Sequence, residues 1–256
     1  MVKSITLFNR FGNKQNDIKY FKNKLPMDCK IVIEPFGGTF AVIRNIYMND
    51  KYKKFVNDND KELYNLYINA NQYAEYCKTM NDIASKHLSE NKKHVNYKLF
   101  IDDVISKGLD KSIFYNEWKN AKIAMGCNIK YSKTNDYTKA LEDISKITFE
   151  NDDYMEIINK YRKNKDAFLF LDPPYLFSDN STYQQQKFDN DPTDILINIY
   201  NILNDKTTKA KIMFIINDLK ILRWLFKDFI RGEYSKFYNL SKRTETHLII
   251  CNYTLS

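Results

Sequence analysis

Five consecutive apolar residues, Ala167-Phe168-Leu169-Phe170-Leu171, run without interruption into Asp172-Pro173-Pro174-Tyr175. A strand with one solvated face alternates apolar and polar side chains, so an unbroken run reads as a strand covered on both faces. The prolines that follow mark its end. Similar runs lie at 30–38, 54–60, 146–151, 210–218 and 245–254. Doubly covered sheets belong to α/β folds, in which helices lie on both sides of a largely parallel sheet. In the first run, KIVIEPFGG, a short β-branched segment meets two of the chain's six glycines. The next segment, FAVIRNIY, has helical spacing with Phe40, Ile43 and Tyr47 on one side. Strand, glycine loop and helix form the opening unit of a doubly wound domain.

Between roughly 61 and 135 the β signal fades and Tyr, Lys, Asn and Asp dominate, which predicts an inserted, mostly helical subdomain. The α/β domain is then discontinuous, comprising 1–60 and 136–256. A chain of 256 residues can bury a core large enough for both parts. Within the insertion, Trp118 with Phe114 and Tyr115 is expected to form a core.

Forty Lys and Arg against 32 Asp and Glu give a net charge of +8, which favours a polyanionic partner. The basic runs at 51–54 and 160–165 fit either phosphate contacts or solvated element ends. Cys29, Cys77, Cys127 and Cys251 show no C-x-x-C spacing and read as reduced thiols of an intracellular protein. The amino-terminal segment lacks the apolar stretch of a signal peptide, and no run is long enough to span a membrane. A soluble protein is expected, in cytoplasm or nucleus alike. His87, His94 and His247 lack ligand spacing and are expected on the surface or in packing roles, with no metal.

Chemistry concentrates where strands are expected to end. In the loop Glu34-Pro35-Phe36-Gly37-Gly38, glycine lets the backbone approach a ligand, as nucleotide-binding loops of α/β sheets require. About 20 residues further on, at the next strand end, Asp58 or Asp60 is placed to accept hydrogen bonds from ribose hydroxyls. A rigid turn explains the prolines of Asp172-Pro173-Pro174-Tyr175 but not the residues beside them. Amine chemistry explains all four. The exocyclic amine of a nucleobase is a poor nucleophile because its lone pair is delocalised into the ring. The Asp172 carboxylate and the Pro173 carbonyl can accept its two N–H groups and hold the nitrogen in line with an electrophilic methyl. Pro173 and Pro174 fix the direction of that carbonyl. Tyr175 can stack on a base turned out of its helix.

These segments, taken in order, resemble the Dam-type DNA adenine N6-methyltransferases, particularly the phage-type members. NRFGNKQNDI (9–18) is similar to the family's amino-terminal motif, and EPFGGTFAV (34–42) to its S-adenosylmethionine (SAM) loop. VNDNDKELYNLY (56–67) resembles the second motif, and ITFENDDY (147–154) the third. DPPY and THLIICNY (246–253) complete the series.

The resemblance implies a Rossmann-like SAM-dependent methyltransferase sheet flanked by helices, with a target recognition domain at 61–135. It implies SAM as cofactor, S-adenosylhomocysteine as product and double-stranded DNA as partner, for a monomer or weak dimer. It assigns cofactor binding to Arg10, Lys14, Glu34, Phe36, Gly37, Gly38, Thr39, Asp58, Tyr154 and Asp172, choosing Asp58 over Asp60 as the ribose acid. Asp172, Pro173, Pro174 and Tyr175 are the implied catalytic residues, and Lys130 and Tyr183 the DNA-contacting ones. Thr39-Phe40 stands where relatives commonly have a second glycine. GCNIKYSKTNDYTKA (126–140) places Lys130 at the family's recognition arginine and lacks its proline turn. Lys cannot read guanine bidentately, so GATC recognition does not carry over. Two alternatives stand beside adenine methylation in DNA: the same chemistry on cytosine N4 or RNA adenine, and a catalytically silent SAM-fold subunit.

Overall fold

The computed structural model of the protein describes residue 7 and residues 14–88, 95–124, 128–129, 136–175, 191–238 and 243–254. A 3-10 turn at Lys14–Asn16 and the one-turn helix α1 (Ile18–Phe21) precede β1 (Ile31–Glu34). The glycine loop follows, then α2 (Ala41–Ile46), β2 (Lys53–Asn57) and α3 (Lys61–Ile68). The next elements are α4 (Ala70–Lys86), α5 (Tyr97–Ser106) and α6 (Tyr115–Lys122). The two-residue strands β3 (Ile123–Ala124) and β4 (Asn128–Ile129) form an antiparallel ladder, and α7 (Thr138–Ser145) comes after it. The chain continues through β5 (Thr148–Glu150), α8 (Tyr154–Tyr161), β6 (Ala167–Leu171) and α9 (Pro192–Asn204). It ends with β7 (Lys211–Asn217), α10 (Lys220–Leu225), β8 (Ile230–Tyr238) and β9 (Arg243–Cys251).

The described residues divide into two units, one within Met1–Asn13 and Asn65–Lys146 and the other within Lys14–Tyr64 and Ile147–Ser256. The first is helical apart from the small ladder and an isolated bridge. On α4 the residues Tyr73, Ala74, Cys77, Met80, Ile83 and Ala84 are buried, the spacing of an amphipathic helix facing a core. Trp118 is fully buried and stacks on Phe100 with ring centroids 5.4 Å apart, while Phe114 packs edge-on against Tyr73. The Trp118 core expected from sequence is therefore present.

The second unit holds a seven-stranded sheet in the order β5-β2-β1-β6-β7-β9-β8. Pairing is parallel from β5 through β7, and β9 runs antiparallel to both β7 and β8. The order reverses between β1 and β6, as in a Rossmann-like doubly wound sheet, with the last strand inserted antiparallel beside β7. Period-two alternation explains the all-apolar composition of β6, all of whose residues are buried. Ala167, Leu169 and Leu171 join the cluster formed with Ile157, Ile158, Ile195 and Ile199 of α8 and α9. Phe168 and Phe170 face the other side, against Tyr47 and Phe21.

Two details depart from the sequence reading. Helix α2 begins one residue after Phe40, whose φ of 40° is left-handed and which occupies the N-cap. Phe40 is nevertheless buried, so its apolar position in the pattern arises from the loop and not from the helix. Strand β8 was not anticipated. It is an edge strand that alternates polar residues and carries an irregularity between Ile230 and Gly232.

Candidate active site

Parallel pairing of Ile33 with Leu169 brings β1 and β6 out of the sheet side by side, where the strand order reverses. Crevices outside the carboxyl ends of strands at such a point are where doubly wound sheets bind ligands. The glycine loop and Asp172–Tyr175 both begin here.

The glycines have different duties. A Cβ on Gly37 would lie 2.4 Å from Val56 Cγ1 and 2.8 Å from the Asn57 carbonyl oxygen. The Gly37 N–H also donates to that carbonyl at 2.7 Å, so the loop lies directly on β2. Gly38 has φ +48° and open space where a Cβ would project. Its N–H donates to Asp58 Oδ2 at 2.8 Å. Gly37→Ala is expected to destabilise the protein by roughly 1–3 kcal/mol through overpacking against backbone. Gly38→Ala meets only the cost of a left-handed alanine, about 1–2 kcal/mol. Thermal denaturation of the two variants checks this.

Glu34 lies beneath the loop, 3% exposed, and its Oε1 accepts the Ile43 N–H of α2 at 2.6 Å. Burial pushes its carboxyl up to about 8, with the Ile43 bond and Arg44 pulling the other way and Asp172 adding to the rise. The folded protein therefore holds a proton that the unfolded chain releases near 4.5. Stability from this group is complete below that value and is lost as pH rises toward about 8, at up to about 1.4 kcal/mol per pH unit. Glu34→Gln should flatten this part of the slope. Denaturant midpoints of both proteins across that pH window check it.

Hydrogen bonds join three strand-end loops. Asn57 is 1% exposed. Its Nδ2 donates to the Pro35 and Asp152 carbonyls, both at 3.0 Å, and its Oδ1 accepts the Asp152 N–H at 2.9 Å. Asn151 donates to the Asp58 carbonyl at 2.7 Å. Asp58 thus stands at the carboxyl end of β2 with its carboxylate against the glycine loop. Asp60 instead accepts the Glu62 and Leu63 N–H groups at the start of α3. Phe36 and Tyr154 stack at 5.0 Å, and the Tyr154 hydroxyl accepts a bond from Asn198.

Asp172 forms an ion pair with Lys14, Oδ1 to Nζ 2.7 Å, in which neither side chain is more than 19% exposed. Burial opposes the Lys14 charge but is outweighed by Asp172 and Tyr175, which hold the ammonium well above its usual range. For Asp172, burial raises the carboxyl while Lys14 works against that rise. The ammonium also lies 5.1 Å above the Tyr175 ring. His247 is fully buried between Tyr175 and Tyr234, with ring centroids 5.6 Å and 5.0 Å away. Its packing role is the one expected, but its place beside Tyr175 depends on β7 pairing Asn217 with His247. Buried Asp17 and Tyr234 and the partly exposed Lys236 complete this wall and were not singled out by sequence. The three-residue interval between Lys14 and Asp17 was the available signal for Asp17.

Arg10, Lys130 and Tyr183 lie outside the described residues, as do Cys127 and His94. Thr39 is buried in the glycine loop. The basic run at 160–165 leads into the amino end of β6, the edge opposite Asp172. Within this run Lys160 pairs with Glu150 and Arg162 with Asp205. Lys51 lies over the Tyr52 ring, and buried Lys54 donates to the Tyr52 carbonyl, both near the amino end of β2. Cys29, Cys77 and Cys251 are buried free thiols. Among the described residues, no group of three His, Cys, Asp or Glu is arranged to hold a metal, and no helix is long and apolar enough to cross a membrane.

The donor set fits an adenosine-containing cofactor. A carboxylate suited to ribose hydroxyls adjoins a backbone loop held flat on β2, with a stacked aromatic pair at the neighbouring strand end.

Comparison with known proteins gives the following matches. A family model for the D12 class N6 adenine-specific DNA methyltransferases matches residues 11–245. The protein named Type II methyltransferase M.CviBI, from Paramecium bursaria Chlorella virus NC1A, is 28% identical over 269 aligned positions, covering 94% of this chain and 97% of that one. Among solved structures, the delta-N METTL16 MTase domain aligns with a TM-score of 0.41 at 8% identity, covering 96% of this chain and 84% of that one.

Proposed function

The chain belongs to the D12 class N6 adenine-specific DNA methyltransferases, enzymes of adenine methylation in DNA, and from that premise we propose that it transfers the methyl group of SAM to N6 of an adenine turned out of the duplex. S-adenosylhomocysteine is the second product. The observation that carries this reading is the Asp172 carboxylate, ion-paired with Lys14 and emerging beside the glycine loop where the strand order reverses.

Gly37, Gly38 and Thr39 would hold the cofactor through their backbone, Glu34 would brace that loop from below, and Asp58 would accept the ribose hydroxyls. Phe36 and Tyr154 would border its adenine, with Arg10 and Lys14 near its methionine end. When bound, SAM supplies an electrophilic methyl. Asp172 and the Pro173 carbonyl accept the N–H bonds of the target amine, concentrate its lone pair on nitrogen and direct it at that methyl. Pro173 and Pro174 keep the carbonyl aimed inward. Tyr175 stacks on the extruded base, a contact worth about 1–3 kcal/mol. The nitrogen sheds its extra proton to the Asp172 carboxylate, whose burial makes it a better base than an exposed aspartate.

Residues 61–135 would supply target recognition, with Lys130 contributing to base readout and Tyr183 to a loop over the flipped base. Sequencing that reads modified bases in DNA from cells expressing the protein tests the proposal. N6-methyladenine confined to one sequence context is expected. Modified cytosine, or unmodified DNA from an expressing strain, would count against it.

A further inference from the structure

A second ion pair lies behind the one at Asp172. Asp17 is 1% exposed, and its Oδ1 lies 2.7 Å from Lys236 Nζ on β8. The Tyr234 hydroxyl, on the same strand, donates to Asp17 Oδ2 at 3.5 Å. Asp17 and Lys14 belong to one turn, closed by the Asp17 N–H donating to the Lys14 carbonyl at 2.8 Å. Lys236, Asp17, Lys14 and Asp172 therefore form a linked set of alternating charge drawn from β8, the amino-terminal turn and the loop after β6. Removing ions from water costs several kcal/mol each, and apolar residues generally anchor a turn at lower cost. Ile18 and Phe21, both buried, already anchor this segment. Two ion pairs on one turn, each with its turn residue buried and its partner partly so, thus call for a role besides anchoring.

We propose that Asp17 and Lys236 are positioning residues for methyl transfer, their ion pair fixing the turn that sets the Lys14 ammonium on the Asp172 carboxylate and their opposite charges balancing at that carboxylate. This rests on the role given to Asp172 under the proposed function. The titratable groups around Asp172 are Lys14 and Asp17 from the turn, Tyr234 and Lys236 from β8, His247 from β9, Tyr175 from its own loop and Glu34 from β1. Burial leaves Glu34 and His247 uncharged near neutrality, the first pushed up to about 8 and the second down to about 4. The charges that act on Asp172 there are Lys14, Asp17 and Lys236, and the latter two act in opposite directions. Asp17 disfavours ionisation of Asp172, and Lys236 favours it.

The opposition in sign supplies the test. Tritiated methyl transfer from SAM to mixed-sequence duplex DNA is followed from about pH 5 to about pH 9, and the acidic limb of kcat/KM is located for each protein. Asp17→Asn is expected to move that limb to lower pH and Lys236→Met to higher pH. Each shift should be about half a pH unit, below the roughly 1–3 units produced by a directly adjacent charge. Lys236→Arg should restore the wild-type limb. A merely structural role would lower the rate and leave the limb where it was. A stationary limb in both variants, or movement in one common direction, overturns the inference. Should Lys236→Met fail to fold, the direction of the Asp17→Asn shift decides alone. Asp172→Asn serves as the reference. If it methylates as well as wild type, the functional reading fails and this inference with it. If it is inactive while the limbs do not move, only the inference fails.

Discussion

Asp172→Asn is expected to lower kcat/KM for methyl transfer by about a thousandfold or more, while SAM affinity changes only a few-fold. Loss of one preorganised hydrogen-bonding group aimed at developing charge typically costs about 10²–10³ in rate. Asparagine also brings an amide N–H₂ toward an amine that needs acceptors, and it leaves the Lys14 ammonium without its carboxylate partner at 2.7 Å. The rate loss should persist at every pH, because the amide does not ionise in the working range. Single-turnover transfer, with cofactor affinity measured separately by calorimetry, distinguishes this from a binding defect.

Lys14→Met should produce a different pattern. Truncating one member of a buried pair leaves an uncompensated charge and typically costs about 3–5 kcal/mol of stability. The remaining carboxyl, still buried, would rise further, and loss of an adjacent cation moves such a group by roughly 1–3 pH units. Activity near neutrality is therefore expected to fall and to recover as pH rises toward 9. The Asp172 variant should show no such recovery. Adding Lys14→Met to Asp172→Asn should cost little further activity, because the lysine acts largely through the aspartate. A full additional loss in the double variant would show that Lys14 has an independent contact with cofactor or DNA.

How much of this was legible in the sequence follows from which interactions are local. Strands β6 and β7 are buried on both faces, so their composition announced them. Strand β8 lies at the sheet edge with Arg231, Glu233 and Ser235 interleaved along it, and no apolar run marks it. Phe40 matched a helical period but reached the core through a left-handed N-cap, which periodicity does not register. Asp172 was conspicuous because its neighbours are prolines and an aromatic ring. Its ion pair with Lys14 was not legible, since it joins the first turn to the loop after β6 and depends on tertiary packing. Lys236 is hidden further still. In sequence it is one lysine among the chain's many, set on a polar strand, and the turn containing Asp17 gives it a buried partner.

On the reading proposed above, the carboxylate at the end of β6 directs an adenine amine at the methyl group of SAM. The most direct measurement incubates unmethylated duplex DNA with labelled SAM and either wild-type protein or Asp172→Asn, digests the DNA to nucleosides and identifies the labelled species by mass spectrometry. N6-methyl-2′-deoxyadenosine is expected from the wild type and almost none from the variant. Label on cytosine, or equal label on adenine from both proteins, would contradict it.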